Sequence, residues 1–125
     1  MFSHVMVGTN DLERAKRFYD ALMGTLGVAP AALDGHRFFY LTPTGIFSVS
    51  KPINGEPATF ANGGTIGFAA PSPAVVDAWH AAGVAAGGTS CEDPPGPRAS
   101  RLGDLYLAYL RDPDGNKLCA RYVKG

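Results

Sequence analysis

The chain has 125 residues, with eleven basic and eleven acidic side chains and a formal net charge of zero. This balance argues against a nucleic-acid partner or an anionic membrane surface, both of which attract basic proteins. No apolar run is long enough to span a bilayer. The length fits one compact domain, 1–125, and its two cysteines, Cys91 and Cys119, show no disulfide spacing, which predicts reduced thiols in a cytoplasmic protein.

The first half of the chain predicts a strand, a helix and a hairpin. Apolar residues alternate over Phe2–Gly8, which is typical of a strand. Asn10 followed by Glu13 has the spacing of a capping box and predicts the start of an amphipathic helix that ends at Gly27. The remaining strands of this half are a weak candidate at Val28–Leu33 and a hairpin formed by Arg37–Leu41 and Ile46–Ser50.

The same order of elements returns after a polar linker at Pro52–Gly63, which indicates an internal repeat. Thr65–Ala69 alternates like a strand, and Ser72 with Pro73 predicts a helix start. The helix is expected to stop at the paired glycines 87 and 88, before a short strand near Thr89–Cys91 and a long loop over 93–103. The final hairpin has arms at Leu105–Leu110 and Lys117–Val123. The repeat predicts two modules, residues 1–57 and 58–125.

Each predicted helix covers only one face of a four-stranded sheet, so the opposite faces are expected to line a cleft. The period of two along the strands assigns residues to these faces. The cleft-facing residues are predicted to be His4, Met6, Ser48, Ser50, Thr65, Gly67, Cys119 and Arg121. The core-facing residues are predicted to be Val5, Val7, Phe47, Val49, Ile66, Phe68, Leu118 and Ala120. The alternation leaves open which of Tyr40, Tyr106 and Tyr109 line the cleft.

Several motifs cover nearly the whole chain. They are His4-Val5, Asp11-Leu12-Glu13-Arg14 and Phe18-Tyr19 in the first half, then Gly96-Pro97-Arg98 and Asp112-Pro113-Asp114-Gly115-Asn116 in the second. Together these motifs resemble the vicinal oxygen chelate superfamily of glyoxalases, bleomycin-resistance proteins and extradiol dioxygenases. The resemblance implies an α+β fold, in which two βαβββ modules form a curved mixed sheet around a cleft. In enzymes of that family the cleft holds a divalent metal that chelates adjacent substrate oxygens.

The resemblance places the family's four metal positions on His4, Ser48, Thr65 and Cys119. The family pattern has His, Glu or Gln at such places, and only His4 agrees with it. A Lewis-acid metal needs about three protein ligands, and neutral hydroxyls are poor ones. We therefore expect no cofactor, with zinc, nickel or iron held by His4, Cys119 and a further ligand as the alternative.

The remaining candidate residues are assigned to ligand binding and to catalysis. Arg98 and Arg101 in the loop before the last hairpin, with Arg121 on its return strand, are candidates for binding an anionic group. Met6, Ser48, Ser50 and Thr65 are candidates for lining the ligand site. His4 and Cys119 are the candidate catalytic groups, as a general base and a nucleophile. The alternatives are that Cys119 is an inert wall residue and that His4 has no chemical role.

Three functions are compatible with this pattern. The first is a metal-free protein of the glyoxalase/bleomycin-resistance type that binds a small organic molecule. The second is a metal-dependent lyase, isomerase or dioxygenase of glyoxalase type, and the third is a structural or partner-binding dimer with a vestigial cleft. A homodimer is expected in each case, because one-sided modules leave sheet edges and apolar rims uncovered.

Overall fold

The computed structural model describes residues 1–101 and 103–124 as two mixed sheets and two helices. Leu102 and Gly125 lie outside the described residues. In chain order the elements are β1 His4–Gly8, α1 Leu12–Gly24, β2 Ala32–Asp34, β3 Arg37–Thr42, β4 Gly45–Ser50, β5 Ile66–Ala69, α2 Pro73–Ala85, β6 Thr89–Ser90, β7 Gly96–Ser100, β8 Gly103–Arg111 and β9 Lys117–Val123. This is the predicted α+β fold. No helix in the described residues has both the length and the apolar character needed to cross a membrane.

Each half of the chain builds one sheet. The first sheet has the strand order β1-β4-β3-β2, and the second has β5-β9-β8-β6, with β7 also paired to β8. In both sheets the first strand of the half runs parallel to the last one, β1 beside β4 and β5 beside β9, while the hairpins are antiparallel. The repeat that the sequence indicates is therefore also a repeat of topology.

One hydrophobic core draws on both halves. The largest buried side chains of α1 and α2 include Phe18, Tyr19 and Trp79. The rings of Phe47 in β4 and Phe68 in β5 meet edge to face with centroids 5.2 Å apart, so aromatic contacts cross from one sheet to the other. Of the residues predicted to face the core, all but Val5 belong to this core or pack against it. The two helices thus cover the same side of the molecule.

The turn between β8 and β9 fastens the second sheet to the first half. Asp112 is buried and accepts hydrogen bonds from the Tyr19 hydroxyl at 2.5 Å, from both the side-chain and backbone N–H of Asn116, and from the backbone N–H of Asp114. Burial raises the pKa of Asp112, against the opposing effect of the hydrogen bonds from Tyr19 and Asn116. Asn116 also donates to the Gly8 carbonyl at 3.0 Å. We call Asp112, Asp114 and Asn116 the latch.

Asp114 extends the latch to the start of α1. Its carboxylate accepts from the Thr9 hydroxyl at 2.6 Å, from the Asn10 backbone N–H at 2.9 Å and from the Arg14 guanidinium at 2.9 Å. The N-cap of α1 is Asp11, which accepts from the Arg14 N–H, so the predicted Asn10 cap is wrong by one residue. Asn10 instead exchanges two hydrogen bonds with the backbone of Ala58 in the linker. The latch and the linker both hold the end of β1.

The predicted loop over 93–103 is also wrong, because Gly96–Ser100 forms β7 against β8. Pro97 has no N–H for a ladder, but within the described residues β7 is paired with β8 alone and is an edge strand, where proline is tolerated. The Arg98 guanidinium donates to the carbonyls of Asp93, Pro94, Gly96 and Pro97 at 3.0–3.3 Å. These bonds hold the segment before β7 in a fixed conformation. The weak strand predicted at Val28–Leu33 forms later, at Ala32–Asp34.

Candidate functional site

The face of each sheet that lies opposite the helices is the candidate site, and we call these two surfaces the open face. The strand register sets its rows. His4 lies beside Ile46, and Met6 lies beside Ser48 on the first sheet. On the second sheet Gly67, Cys119 and Tyr109 form one row, and Ala69, Arg121 and Leu107 form the next. Cys119 and Leu107 are buried but lie outside the core, which agrees with their position on this face.

Two cavities lie along the seam where β1 faces β5. The larger measures about 370 Å³ and is lined from both sheets, with His4 and Ile46 on one side and Gly67 and Ala69 on the other. It reaches through the seam to the helix side, where Met23, Phe47 and Phe68 also line it. The smaller measures about 210 Å³ and lies toward the linker, between Met6 and Thr65. Ligand pockets commonly measure about 300–1,000 Å³. The larger seam cavity is therefore of a size that a small organic molecule would occupy.

The polar residues of the first sheet differ in their accessibility. His4 is exposed, and its Nδ1 lies 2.7 Å from the Ser3 hydroxyl, with the proton's position set by the tautomer. Ser48 and Ser50 are buried, and their hydroxyls donate to the carbonyls of Val5 at 3.1 Å and of Lys51 at 2.7 Å. Both serine hydroxyl protons are thus bonded to backbone, while the His4 ring is open to solvent.

The thiol of Cys119 lies in a dry environment. It is only 7% exposed, and its S–H donates to the Ala120 carbonyl at 3.5 Å. Burial raises the pKa of the Cys119 thiol, against the opposing effect of a hydrogen bond with the Tyr109 side chain. Since only the thiolate is a good nucleophile or metal ligand, this environment favours the unreactive protonated form.

Tyr109, Glu92 and Lys117 form a cluster beside Cys119 that the sequence did not identify as a unit. The Lys117 ammonium forms an ion pair with the Glu92 carboxylate and lies 5.1 Å from the centroid of the Tyr109 ring. The hydrogen bond that Lys117 donates to the Glu92 carboxylate raises the pKa of Lys117. Strand alternation counted back from Cys119 across the hairpin would have placed Tyr109 on the open face. Tyr40 and Tyr106 point to the helix side instead, where they belong to the core or pack against it.

The three candidate arginines have different surroundings. The guanidinium of Arg98 donates hydrogen bonds to the four backbone carbonyls described above. Arg101 is exposed in the turn between β7 and β8. Arg121 is exposed on the open face, and among the described residues it has no hydrogen-bond or ion-pair partner. Among the strand cations of this face in the described part of the chain, Arg121 is thus the one whose donors bond no protein atom.

A family model of the Glyoxalase/Bleomycin resistance protein/Dioxygenase superfamily matches residues 1–120. The chain belongs to this superfamily. It is 63% identical to a glyoxalase/bleomycin resistance protein from Albidiferax ferrireducens T118, over 98% of both chains and with a TM-score of 0.96. A lactoylglutathione lyase from Agrobacterium tumefaciens shares the fold at 22% identity, with 98% of this chain and 92% of that chain covered and a TM-score of 0.66. No curated protein matched the chain.

The four positions at which superfamily membership implies a metal do not fit one here. Across the described residues, no three His, Cys, Asp or Glu side chains come close enough to hold an ion together. His4 is the one strong ligand type at these positions with an exposed side chain. Ser48 is bonded to backbone, and Cys119 is a buried thiol whose pKa is raised by burial. This donor set lacks the three ligands that a Lewis-acid metal needs.

Proposed function

We propose that this member of the superfamily binds a small organic molecule on its open face, without a metal held by the chain. The observation that carries the proposal is the seam cavity of about 370 Å³, to which both sheets contribute. Its lining combines apolar side chains with the exposed ring of His4, the mixture of apolar walls and few polar groups that is typical of ligand sites. His4 would act as a hydrogen-bonding group toward the ligand, in either tautomer.

The floor of the proposed site on the second sheet is built from small residues. Gly67 and Ala69 are exposed, and an added Cβ at Gly67 would meet no atom within 4 Å. Larger side chains line the same cavity, among them Ile46 and Phe47 from the first sheet. The site therefore has room over Gly67 for a flat molecule that contacts both sheets.

Replacing Gly67 by leucine is expected to abolish ligand binding without loss of stability, because the new side chain enters open space on the floor. The experiment is a thermal-shift screen of small aromatic and thiol-conjugated molecules, followed by calorimetric titration of the hits. A ligand in excess over its Kd stabilises the folded state measurably, by about 2.7 kcal/mol at a hundredfold excess. The matched control is Gly24→Leu, since Gly24 also faces open space but lies at the end of α1.

Two results would contradict the proposal. Hits that bind Gly67→Leu as tightly as the wild type would place the ligand elsewhere. Stoichiometric zinc, nickel or iron in protein purified without chelator, lost on His4→Ala, would favour the metal-dependent enzyme of glyoxalase type. Unchanged thermal stability in the presence of chelator is the expected companion result, because bound metal would be linked to folding.

We also propose a cytoplasmic homodimer. Both cysteines are free, as is typical of a reducing compartment. Leu33 in the edge strand β2 is 52% exposed and Leu41 in β3 is 71% exposed, so apolar surface lies near an unpaired sheet edge. A second copy that covered this edge would remove it from water. Light scattering at micromolar concentration is expected to give twice the chain mass, and a mass equal to that of one chain would contradict the dimer.

A further inference from the structure

The open face has a positive charge excess, although the whole chain is neutral. Strand register places Arg37, Arg98, Arg111, Lys117 and Arg121 on this face and, among the described strand residues, one acidic side chain, Asp34. Glu92 reaches the face from a loop through its ion pair with Lys117. Five basic and two acidic groups leave an excess of three positive charges. Among these placed residues the open face is therefore basic.

Most of these cations are held by neighbouring protein atoms. Lys117 is paired with Glu92, and the donors of Arg98 are used on loop carbonyls. Arg111 donates to the Gly115 carbonyl at 2.7 Å and lies over the Phe60 ring, and Arg37 is bonded to the His36 ring at 2.8 Å. These four cations contribute to the positive electrostatic potential of the face, but most of their N–H donors already bond protein atoms. Arg121 is the exception, with no partner in the described residues.

The residues beside Arg121 indicate the kind of ligand that would bind there. In the strand register it lies between Ala69 and Leu107. Ala69 also lines the larger seam cavity, so Arg121, which does not line that cavity itself, lies one strand away from its wall. A ligand with a terminal anionic group on the guanidinium would place its body over Ala69 and Gly67, toward His4. An apolar body matches that floor, and a planar oxyanion matches the fork of an arginine.

We infer that the ligand of the open face is an organic anion, with a carboxylate or similar oxyanion bound by Arg121 and a flat apolar body in the seam cavity. The inference rests on the proposed function and specifies its ligand class. Charge on this scale also steers an anion to the face before contact, an effect that salt weakens.

The test compares naphthoate with naphthamide, two probes with the same ring system and different charge, by calorimetric titration or by NMR shift perturbation. Naphthoate is expected to bind about tenfold more tightly, as one charge-assisted hydrogen-bond pair would give. Arg121→Gln is expected to remove this difference while melting at the wild-type temperature, since Arg121 is exposed. The matched control is Arg17→Gln, an exposed arginine on α1, which is expected to keep the difference.

The outcomes separate this inference from the proposed function. Equal affinity for the two probes, with both lost in Gly67→Leu, would overturn the anion inference and leave the binding site in place. A preference for naphthoate that survives in Arg121→Gln, or no binding of naphthoate up to its solubility limit, would also overturn it. Naphthoate binding that is unchanged in Gly67→Leu would contradict both. A preference lost only in Arg121→Gln, and weakened by added salt in the wild type, supports the inference.

Discussion

Replacing Asp112 by alanine is expected to lower the free energy of unfolding by about 3–5 kcal/mol. The Asp112 carboxylate is buried and accepts four hydrogen bonds, from Tyr19, from Asp114 and twice from Asn116. Its removal would leave these donors without an acceptor, and each buried unpaired group costs about 1–3 kcal/mol. The Tyr19 hydroxyl is the most costly of them, because Tyr19 is fully buried. Urea denaturation followed by circular dichroism measures the change.

The control for Asp112→Ala is Asp34→Ala, which removes an exposed carboxylate from the short edge strand β2. Surface changes of this kind are usually within about 0.5 kcal/mol of the wild type. Tyr19→Phe provides an intermediate case, since it removes one of the four donors and keeps the packed ring. A loss in Asp112→Ala no larger than that of Asp34→Ala would mean that the latch adds nothing to stability.

The latch gives a structural reason for two of the motifs on which the resemblance rests. The strand-to-helix segment at residues 9–14 and the turn at 112–116 lie about a hundred positions apart, yet Asp114 bonds Thr9, Asn10 and Arg14 directly. Sequence patterns describe each segment as a local cap or turn. The spacing of residues within each segment does not show that the Asp114 carboxylate of the turn accepts hydrogen bonds from the strand-to-helix segment. For that reason the sequence predicts the turn but not that the turn fastens the second sheet to the first half.

The faces of the strands were predictable because a period of two needs only the strand positions. Phe47 and Val49 are buried in the core as expected, while Met6 and Arg121 are exposed on the open face. The edge strand β7 was not predictable in the same way. Its sequence, Gly96-Pro97-Arg98-Ala99-Ser100, has neither alternation nor branched residues. Pairing with β8 and the hydrogen bonds of Arg98 stabilise this strand, although its residues have little strand propensity of their own.

The candidate site is harder to predict from sequence than the fold. Which polar side chains can bind a ligand depends on which of them already have hydrogen-bond partners in the protein. Ser48, Arg98 and Arg121 all appear as polar residues on predicted cleft strands or their approach. Only the structure shows that Ser48 donates to Val5, that Arg98 holds a loop and that Arg121 is free among the described residues. Their roles toward a ligand remain predictions, and the Arg121 and Gly67 variants are the direct tests of them.

Replacing Gly88 by alanine is expected to lower the free energy of unfolding by about 2–3 kcal/mol, the cost of overpacking a rigid site. Gly88 follows α2 where the two halves meet. A Cβ there would lie 2.8 Å from the Phe18 ring, 2.9 Å from the Gly83 carbonyl oxygen and 3.0 Å from the Arg111 carbonyl oxygen. Two of these neighbours are backbone atoms that no rotamer change can move. Relief of the strain would therefore need a shift of the backbone at Gly83 or Arg111.

Alanine substitutions at two other glycines, with different surroundings, serve as comparisons for Gly88→Ala. A Cβ at Gly83 would meet the methyl ends of Leu110 and Leu22, which are flexible, so Gly83→Ala is expected to cost less than Gly88→Ala. The helix preference for alanine over glycine, up to about 1 kcal/mol, offsets part of that cost. Gly24→Ala meets no atom within 4 Å at the end of α1 and should be neutral or slightly stabilising. Urea denaturation of all three variants should give the order Gly88, Gly83, Gly24. Equal stabilities for the first two would mean that the backbone around Gly88 relaxes as easily as a leucine side chain.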